Sequence, residues 1–266
     1  MIKMVITDID GTLVKDGTGT LPAELTETIG ALMDQGIHFV AASGRSKIST
    51  ERLFAPLKER IYYATCNGAL MGRYGELLFA ESMDRKLLDR LLSDARAIPD
   101  TIPFLTGAGV MYADSDDEDV IRWLIEGYQE DVTRVADMGA MEGDFVKLCV
   151  YDKKHKSGET FRSFCEKWKG VVSTSTAGAM WLDIYKLGVN KGTAARWYQN
   201  FLGVLPEETL ALGDQQNDVE MLRAAYHSYA VGNAIPEAKE AARYVTDTCE
   251  NGGALKVLQS LLKTEG

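Results

Sequence analysis

The chain contains few cysteines, few prolines and no long apolar run. Of its 266 residues, four are cysteine and six are proline. The cysteines at positions 66, 149, 165 and 249 form no CxxC pair and have no nearby histidine. The sequence therefore does not indicate a zinc site, and free thiols in a reducing compartment are the simplest interpretation. No apolar stretch approaches the ~20 residues of a membrane span, and the N-terminus enters a strand-like run at once, so we predict a cytoplasmic protein without a membrane partner.

Positive charge is also scarce. Lysine and arginine number 29 against 39 aspartates and glutamates, which gives a formal net charge of -10. This balance argues against broad binding to the phosphate backbone of nucleic acids. A small anionic substrate would need local positive charge, for which a metal ion is the expected source. The 45% hydrophobic content is enough for the core of one large domain or two modest ones.

Strands and helices alternate at both ends of the chain. The apolar patterns predict strands at residues 1–7, 37–42 and 61–65, with helices at 22–35 and 48–57 between them. From Lys191 onward the alternation returns, with helices at 192–202, 218–225, 236–242 and 254–262 and strands at 209–212, near 229 and at 244–246. Such alternation predicts an α/β fold with a doubly wound, mainly parallel sheet.

The middle of the chain follows a different pattern. A hairpin is predicted at 70–79, helices at 86–98, 117–129 and 158–168, strands at 102–105, 110–113, 145–151, 171–174 and 181–185, and a loop at 131–144. We therefore predict a core domain of residues 1–81 and 187–266, interrupted by a smaller α+β domain of residues 82–186.

Reactive residue types gather in the loops predicted to follow the core strands. In an open parallel sheet these loops meet at one edge, where ligands bind. The loops contain Asp8 and Asp10, Ser43-Gly44-Arg45, Asn67-Gly68 and the stretch 213–218, and Lys191 begins the helix before the last of these strands. Aspartate, asparagine and glycine are also common in turns and helix caps. Capping does not predict that acids, a hydroxyl group and a lysine all fall on a single edge.

Asp8 and Asp10 have the spacing of a catalytic pair. Side chains at positions i and i+2 of a strand project to the same side, so one carboxylate can attack a phosphorus atom while the other donates a proton and then activates water. Gly11 would let the backbone approach the phosphate and offer its N–H, while Thr12 would fix the turn.

A pair of carboxylates facing a phosphate dianion calls for a cation. We predict an Mg²⁺ site formed by Asp8, the Asp10 main-chain carbonyl and Asp214, with Asn217 and Asp218 orienting groups around it. The non-bridging phosphate oxygens would be held by the Ser43 hydroxyl, the Gly44 N–H and the Lys191 ammonium.

Three further residues have two interpretations each. Arg45 either contacts the substrate or caps a helix. Trp181 and Asp183, in the inserted domain, either face the substrate or belong to its core.

Four motifs together resemble the haloacid dehalogenase (HAD) superfamily of phosphatases, in particular its Cof-like branch. They are DIDGT at 8–12, SGR at 43–45, NKG at 190–192 and GDQQND at 213–218. The resemblance spans nearly the whole chain. It implies an aspartyl-phosphate mechanism on Asp8, acid/base catalysis by Asp10, phosphate binding by Ser43 and Lys191, Mg²⁺ held partly by Asp214, and a cap formed by the inserted domain.

The predicted function is an Mg²⁺-dependent phosphatase of small phosphorylated metabolites, such as sugar phosphates or phosphorylated cofactors. A phosphomutase of the same superfamily is the alternative enzyme. A phospho-aspartate signalling module also combines clustered acids, a hydroxyl group and a lysine around Mg²⁺, but such modules are short and have no cap. The sequence does not predict an oligomeric state.

Overall fold

The computed structural model describes residues 1–107, 109–177 and 179–262, which form two β-sheets with helices packed on them. The strands are β1 (Met4–Thr7), β2 (His38–Ala42), β3 (Tyr62–Thr65), β4 (Leu70–Arg73), β5 (Glu76–Ala80), β6 (Thr101–Thr106), β7 (Met111–Ala113), β8 (Val132–Arg134), β9 (Lys147–Asp152), β10 (Val172–Ala177), β11 (Trp181–Lys186), β12 (Thr209–Gly213), β13 (His227–Ala230) and β14 (Tyr244–Val245). The helices are α1 (Ala23–Asp34), α2 (Lys47–Leu53), α3 (Arg85–Arg96), α4 (Glu118–Gly127), α5 (Ser157–Thr160), α6 (Arg162–Trp168), α7 (Lys191–Leu202), α8 (Val219–Ala224), α9 (Pro236–Ala241) and α10 (Gly253–Leu262).

The first sheet has the strand order β14-β13-β12-β1-β2-β3-β4-β5. It is parallel from β14 to β3, and the hairpin of β4 and β5 extends it in antiparallel fashion. The second sheet has the order β10-β11-β9-β6-β7-β8 and is antiparallel except for the β7–β8 pair. These sheets confirm the predicted fold class, a mainly parallel α/β sheet with an inserted α+β unit. The domain boundaries stay a prediction.

Helices cover both faces of the first sheet. Along β1, Val5 faces a cluster that includes Leu25 and Ile29 of α1 and Leu258 of α10. Its neighbours Met4 and Ile6 face the opposite cluster, which includes side chains of α7 and α8. Because both faces are buried, the sheet's central strands have continuous apolar runs instead of alternating patterns.

The two faces of the second sheet differ in character. Leu148 and Val150 of β9 pack with α3 and α6 in an apolar cluster. The alternate residues Lys147 and Cys149 point to the other side, where Asp183 of β11 also lies. A charged residue inside an otherwise apolar strand therefore marks the face that meets the first sheet.

Two local predictions are wrong. The predicted loop at 131–144 contains β8, a short edge strand whose largely exposed side chains leave no apolar alternation to detect. The predicted helix at 158–168 is split into α5 and α6, because the backbone at Phe161 leaves the helical path.

All four cysteines are free, and Cys66 and Cys149 are buried. Within the described residues, none of the helices is both long and apolar enough to cross a membrane.

Tyr198→Phe tests how α7 is fixed to the first sheet. The buried Tyr198 hydroxyl donates to the Tyr63 carbonyl (2.6 Å) and accepts from the Gly72 N–H (3.0 Å). Removing it leaves these buried groups unpaired, so we expect a loss of about 1–3 kcal/mol in the free energy of unfolding, measured by urea denaturation. Tyr62→Phe is the matched control, since the Tyr62 hydroxyl has no hydrogen bond among the described residues, and it should cost less than about 0.5 kcal/mol. Equal losses would show that the hydroxyl network contributes nothing.

Candidate active site

The carboxyl end of β1 is the centre of the site. β1 lies between β12 and β2 in the first sheet, with Thr7 opposite Leu212 and Ala41. Asp8 follows β1 directly, Asp214 follows β12 and Ser43 follows β2. The topology therefore brings together residues more than 200 positions apart in the sequence, as the loop pattern predicted.

Lys191 lies between two carboxylates in the interior of the protein. Its Nζ donates to Asp8 Oδ1 and to Asp218 Oδ1, the latter at 2.7 Å, and the Lys191 side chain is fully buried. Burial raises the pKa of Asp8 well above its usual value, the Asp218 and Asp214 charges raise it further, and Lys191 opposes the shift. The same carboxylates hold the pKa of Lys191 above its ordinary value despite its burial. Lys191 thus favours the ionised form of Asp8.

The NKG motif places this lysine by helix capping. The Asn190 side chain accepts from the Thr193 N–H (2.8 Å), and the Thr193 hydroxyl accepts from the Asn190 N–H (3.1 Å). This reciprocal cap fixes the start of α7 at Lys191. Gly192 allows α7 to approach α8, because a Cβ there would lie 2.5 Å from the Glu220 carbonyl oxygen.

Asp218 supports the loop after β12 with its second oxygen. Asp218 Oδ2 accepts from the backbone N–H groups of Asp214 and Gln215, both at 2.9 Å. Both Asp218 oxygens are therefore engaged, one by Lys191 and one by this loop. Asp218 thereby fixes the loop that carries Asp214.

Asp214 is oriented by the DIDGT loop. Its Oδ1 accepts from the Thr12 hydroxyl at 2.7 Å. Gly11 has a φ of 81° and lies against the same carboxylate, so that a Cβ would be 2.6 Å from Asp214 Oδ2. The Gly11 N–H donates to the Val14 carbonyl (2.8 Å) instead of pointing freely to a ligand. The predicted phosphate contact of this N–H is therefore not supported, and the observed role of Gly11 is to make room for Asp214.

Three buried carboxylates could hold a metal ion. One carboxylate oxygen from each of Asp8, Asp214 and Asp218 lies within 4.8 Å of the others. Oxygen ligands of this kind suit a hard divalent cation such as Mg²⁺. Lys191 is the only cation that the described structure pairs with these three groups, so a bound divalent cation would relieve the remaining negative charge.

Asp10 forms an ion pair that the sequence did not predict. Arg45 Nε donates to Asp10 Oδ2 (2.7 Å) and Arg45 Nη2 to Asp10 Oδ1 (2.6 Å), a bidentate geometry. The alternative of Arg45 as a helix cap is wrong, because Ser46 caps α2.

The inference that Asp8 and Asp10 share a strand face also needs correction. β1 ends at Thr7, and both residues reach the same cavity from the loop that follows it.

The SGR loop forms another wall of the site. Ser43 is buried, and its Oγ accepts from the Arg45 N–H at 3.1 Å, which leaves the hydroxyl hydrogen available to a ligand. Gly44 lines the cavity, and its carbonyl accepts from Lys147 Nζ at 3.0 Å.

A cavity of about 220 Å³ opens between the two sheets. Asp8, Asp10 and Asp214 lie at its base, and the predicted residues Trp181 and Asp183 line the opposite wall. Five further predicted residues are also among its lining: Gly11, Ser43, Gly44, Arg45 and Asn217. Lys191 lies behind Asp8 and is not among the lining residues.

Sequence reasoning missed several residues of the opposite wall. They are Met111, Leu124, Tyr128, Glu130, Lys147, Cys149 and Met180. Lys147 had a detectable signal, since it is a lone charge within the predicted apolar strand 145–151. Glu130 had none, because it lies in a polar stretch that looks like an ordinary surface loop.

A hydrogen-bonded network connects the GDQQND loop to the second sheet. Asn217 Nδ2 donates to Asn67 Oδ1 (2.9 Å), and Asn67 Nδ2 donates to Ser175 Oγ (3.1 Å) and to the Tyr185 hydroxyl. Tyr185 in turn donates to Asp183 Oδ2 at 2.7 Å. Asn217 therefore fixes the position of the opposite wall relative to the base of the cavity.

Comparison with known proteins identifies the family of this chain. A model of haloacid dehalogenase-like hydrolases matches residues 5–258, and the chain belongs to this family. The Escherichia coli 5-amino-6-(5-phospho-D-ribitylamino)uracil phosphatase YbjI is 24% identical over 264 residues, which cover 99% of this chain and 97% of that protein.

Solved structures show the same architecture. A Eubacterium rectale protein is 33% identical, with a TM-score of 0.86 over 98% of this chain and 99% of its own. The HAD subclass IIB sugar phosphatase BT4131 is 22% identical, with a TM-score of 0.82 over 97% and 98% of the two chains, and shares the fold. The family match and the phosphatase relatives confirm the predicted resemblance and the predicted enzyme class, a phosphoric monoester hydrolase.

Gly11→Ala tests the contact between the DIDGT loop and Asp214. The new Cβ would overlap the Asp214 carboxylate and sit at a left-handed φ, so we expect Mg²⁺ affinity, measured by calorimetry, to fall by about tenfold or more. Gly17→Ala is a matched control, because Gly17 has a similar φ of 75° but a Cβ added there would have no atom within 4 Å. Both variants should lose about 1–2 kcal/mol of stability through backbone strain. If Gly17→Ala weakens Mg²⁺ binding equally, the contact with Asp214 does not matter.

Lys191→Met tests the buried ion pairs. It leaves the carboxylates of Asp8 and Asp218 without their cation, so we expect a loss of about 3–5 kcal/mol in the free energy of unfolding of the metal-free protein. Lys256→Met removes an ion pair with Asp247 in which both side chains are more than half exposed, and it should cost less than about 1 kcal/mol. Similar losses for the two variants in urea denaturation would contradict this account of Lys191.

Proposed function

We propose that this protein is an Mg²⁺-dependent phosphatase that hydrolyses small phosphorylated metabolites through an aspartyl-phosphate on Asp8. The observation that carries the proposal is the placement of the Asp8 carboxylate. It lines the cavity, Lys191 donates a hydrogen bond that favours its ionised form, and Asp10 and Asp214 line the same cavity. A buried carboxylate of this kind is a suitable nucleophile toward phosphorus.

The proposed metal ligands are Asp8, the Asp10 main-chain carbonyl and Asp214. When bound there, Mg²⁺ would neutralise the charge of the phosphate and of the carboxylates around it. Thr12 and Asp218 would orient the carboxylates through the hydrogen bonds described above. Ser43, the Gly44 N–H and Lys191 are the proposed partners of the non-bridging phosphate oxygens.

The proposed reaction has two steps. An Asp8 oxygen attacks phosphorus, the bond from phosphorus to the ester oxygen breaks, and Asp10 gives that oxygen a proton. Asp10 then takes a proton from a water molecule, whose oxygen attacks phosphorus and releases Asp8 and inorganic phosphate. Since Arg45 engages both Asp10 oxygens in the present structure, this ion pair must open or shift before Asp10 can donate a proton.

We propose that residues 82–186 are the cap and that residues 1–81 and 187–266 are the catalytic core. The cavity lies between side chains from these two parts, so the cap would exclude bulk water during phosphoryl transfer and select the leaving group. The excess of acids over bases in the chain supports a small substrate and no nucleic acid partner. The name of the Escherichia coli relative makes 5-amino-6-(5-phospho-D-ribitylamino)uracil a suitable member of a substrate panel, beside sugar phosphates and phosphorylated cofactors.

Asp8→Asn is the direct test. Phosphate release from such a panel, measured with Mg²⁺ and with a chelator, should be metal-dependent in the wild-type protein. In Asp8→Asn it should fall on the order of 10⁴-fold or more, because the amide is not a nucleophile. Asp119→Asn, at a side chain that is 94% exposed, is the control and should keep full activity.

Two results would contradict the proposal. One is substantial turnover by Asp8→Asn. The other is a wild-type protein that releases no phosphate from the panel, including the case in which a hexose phosphate is isomerised without free phosphate.

A further inference from the structure

The wall of the cavity opposite the catalytic aspartates carries charges that the proposed chemistry does not use. Among the described residues that line the cavity, six are acids and two are bases: Asp8, Asp10, Asp16, Glu130, Asp183 and Asp214 against Arg45 and Lys147. Arg45 is paired with Asp10. The charged residues of the opposite wall are Glu130, Lys147 and Asp183.

Lys147 and Asp183 form an ion pair with each other. Lys147 Nζ lies 3.4 Å from Asp183 Oδ1 and donates to the Gly44 carbonyl. The other Asp183 oxygen accepts from the Tyr185 hydroxyl. This pair is buried, and each of its charged groups has partners within the described structure.

Only one of the two carboxylate oxygens of Glu130 has a hydrogen-bond partner among the described residues. Its side chain is buried, with the residue about 5% exposed, and Oε1 accepts a long hydrogen bond from the Ser46 N–H (3.3 Å). Oε2 is shielded from solvent and has no hydrogen-bond partner among the described residues. A buried carboxylate oxygen without a donor is unfavourable, because the donors that water would supply are lost and not replaced.

Burial also raises the pKa of Glu130, against the opposing influence of Ser46, Lys147 and Arg45. A donor from a ligand would therefore stabilise this carboxylate more than it would a solvated one. The last side-chain torsion of a glutamate is broad, so a small rotation can turn Oε2 toward the cavity that Glu130 lines.

The cavity that Glu130 lines also has an apolar part. Met111, Leu124, Met180 and Trp181 line the same side, and the Trp181 ring is stacked on Trp123 (centroids 6.1 Å apart, planes at 9°). Such a wall suits a planar or apolar part of a ligand, with one polar group fixing its orientation.

We propose that Glu130 is a specificity-determining residue that accepts a hydrogen bond from an N–H or O–H group on the leaving group of the phosphate ester. The leaving group is neutral or cationic, with a planar or apolar part against Trp181. An anionic leaving group is rejected, because it would face the unmatched charge of Glu130. This inference rests on the proposed phosphatase function and extends it to the choice of substrate.

The test uses matched aryl phosphates and two variants. The probes are phenyl phosphates that carry an amino, hydroxyl, methyl or carboxylate group at position 3 or 4. Glu130→Gln keeps a carbonyl oxygen for the Ser46 N–H but places an amide NH₂ where the free oxygen was. Glu126→Gln, at an exposed site on α4, makes the same charge change away from the cavity and is the control.

The measured quantity is the ratio of kcat/KM in the wild-type protein to kcat/KM in Glu130→Gln. Each ratio compares one ester with itself, so differences in intrinsic reactivity cancel. We expect the ratio for an amino or hydroxyl ester to exceed the ratio for the methyl ester by about tenfold or more, and the ratio for the carboxylate ester to fall below one. The amino and hydroxyl series distinguish an N–H from an O–H donor.

A uniform ratio across all substituents would overturn the inference, since it would show that Glu130 acts only by supporting the loop at Ser46. The failure of the proposed function looks different, because then no ester is hydrolysed by the wild-type protein. In that case the dissociation constants of the same esters, measured by calorimetry for the wild type and Glu130→Gln, decide the inference by the same comparison. Thermal unfolding of both variants confirms that they are folded.

Discussion

The pairing of the buried Lys191 ammonium with the carboxylates of Asp8 and Asp218 is the interaction on which the rest of the site depends. Without it, Asp8, Asp214 and Asp218 would bring three carboxylates within 4.8 Å of one another in a medium that screens charge poorly. Lys191 joins the start of α7 to the end of β1, 183 residues earlier in the chain, and to the loop after β12. The same ion pairs therefore position the Asp8 carboxylate and connect three elements of the core. In the proposed reaction, a divalent cation would compensate the remaining negative charge when an anionic substrate binds, which connects the stability of the core to its proposed chemistry.

The two faces of the second sheet have different surroundings. One of its faces is an ordinary apolar core against α3 and α6, whereas the other faces the catalytic edge and mixes apolar and charged side chains. Among the described residues, the two buried side-chain atoms without a hydrogen-bond partner are Thr106 Oγ1 and Glu130 Oε2. Glu130 lines the cavity, and Thr106 is the register partner of Lys147, which also does. Local departures from full polar satisfaction are expected where a protein binds a ligand, and here they lie beside the wall that the substrate would meet.

The sequence was most informative where local pattern and topology coincide. Alternating strands and helices predicted the mainly parallel sheet, and its geometry then predicted that Asp8, Ser43 and Asp214 converge on one edge. Contacts that depend on tertiary packing were out of reach. The bidentate pair of Arg45 with Asp10 arises from how two loops fold on one another, whereas the Gly11 N–H is used by Val14 in a tight turn of its own loop, whose type the sequence does not specify. Glu130 belongs to the same class, because its contact with the Ser46 N–H joins the segment after α4 to the start of α2, and no periodicity in residues 128–131 records that contact. Strand β8 was missed since a short, exposed edge strand has no apolar face.

The central claim is that Asp8 becomes covalently phosphorylated. The most direct measurement is a rapid acid quench of the wild-type protein during turnover of a hydrolysed substrate with Mg²⁺, followed by peptide mass spectrometry. The account predicts a phosphoryl group on the peptide that contains Asp8, located on Asp8 itself and absent when the metal is chelated. Turnover that proceeds with no phosphoryl group on Asp8, or with the group on another residue, would contradict it.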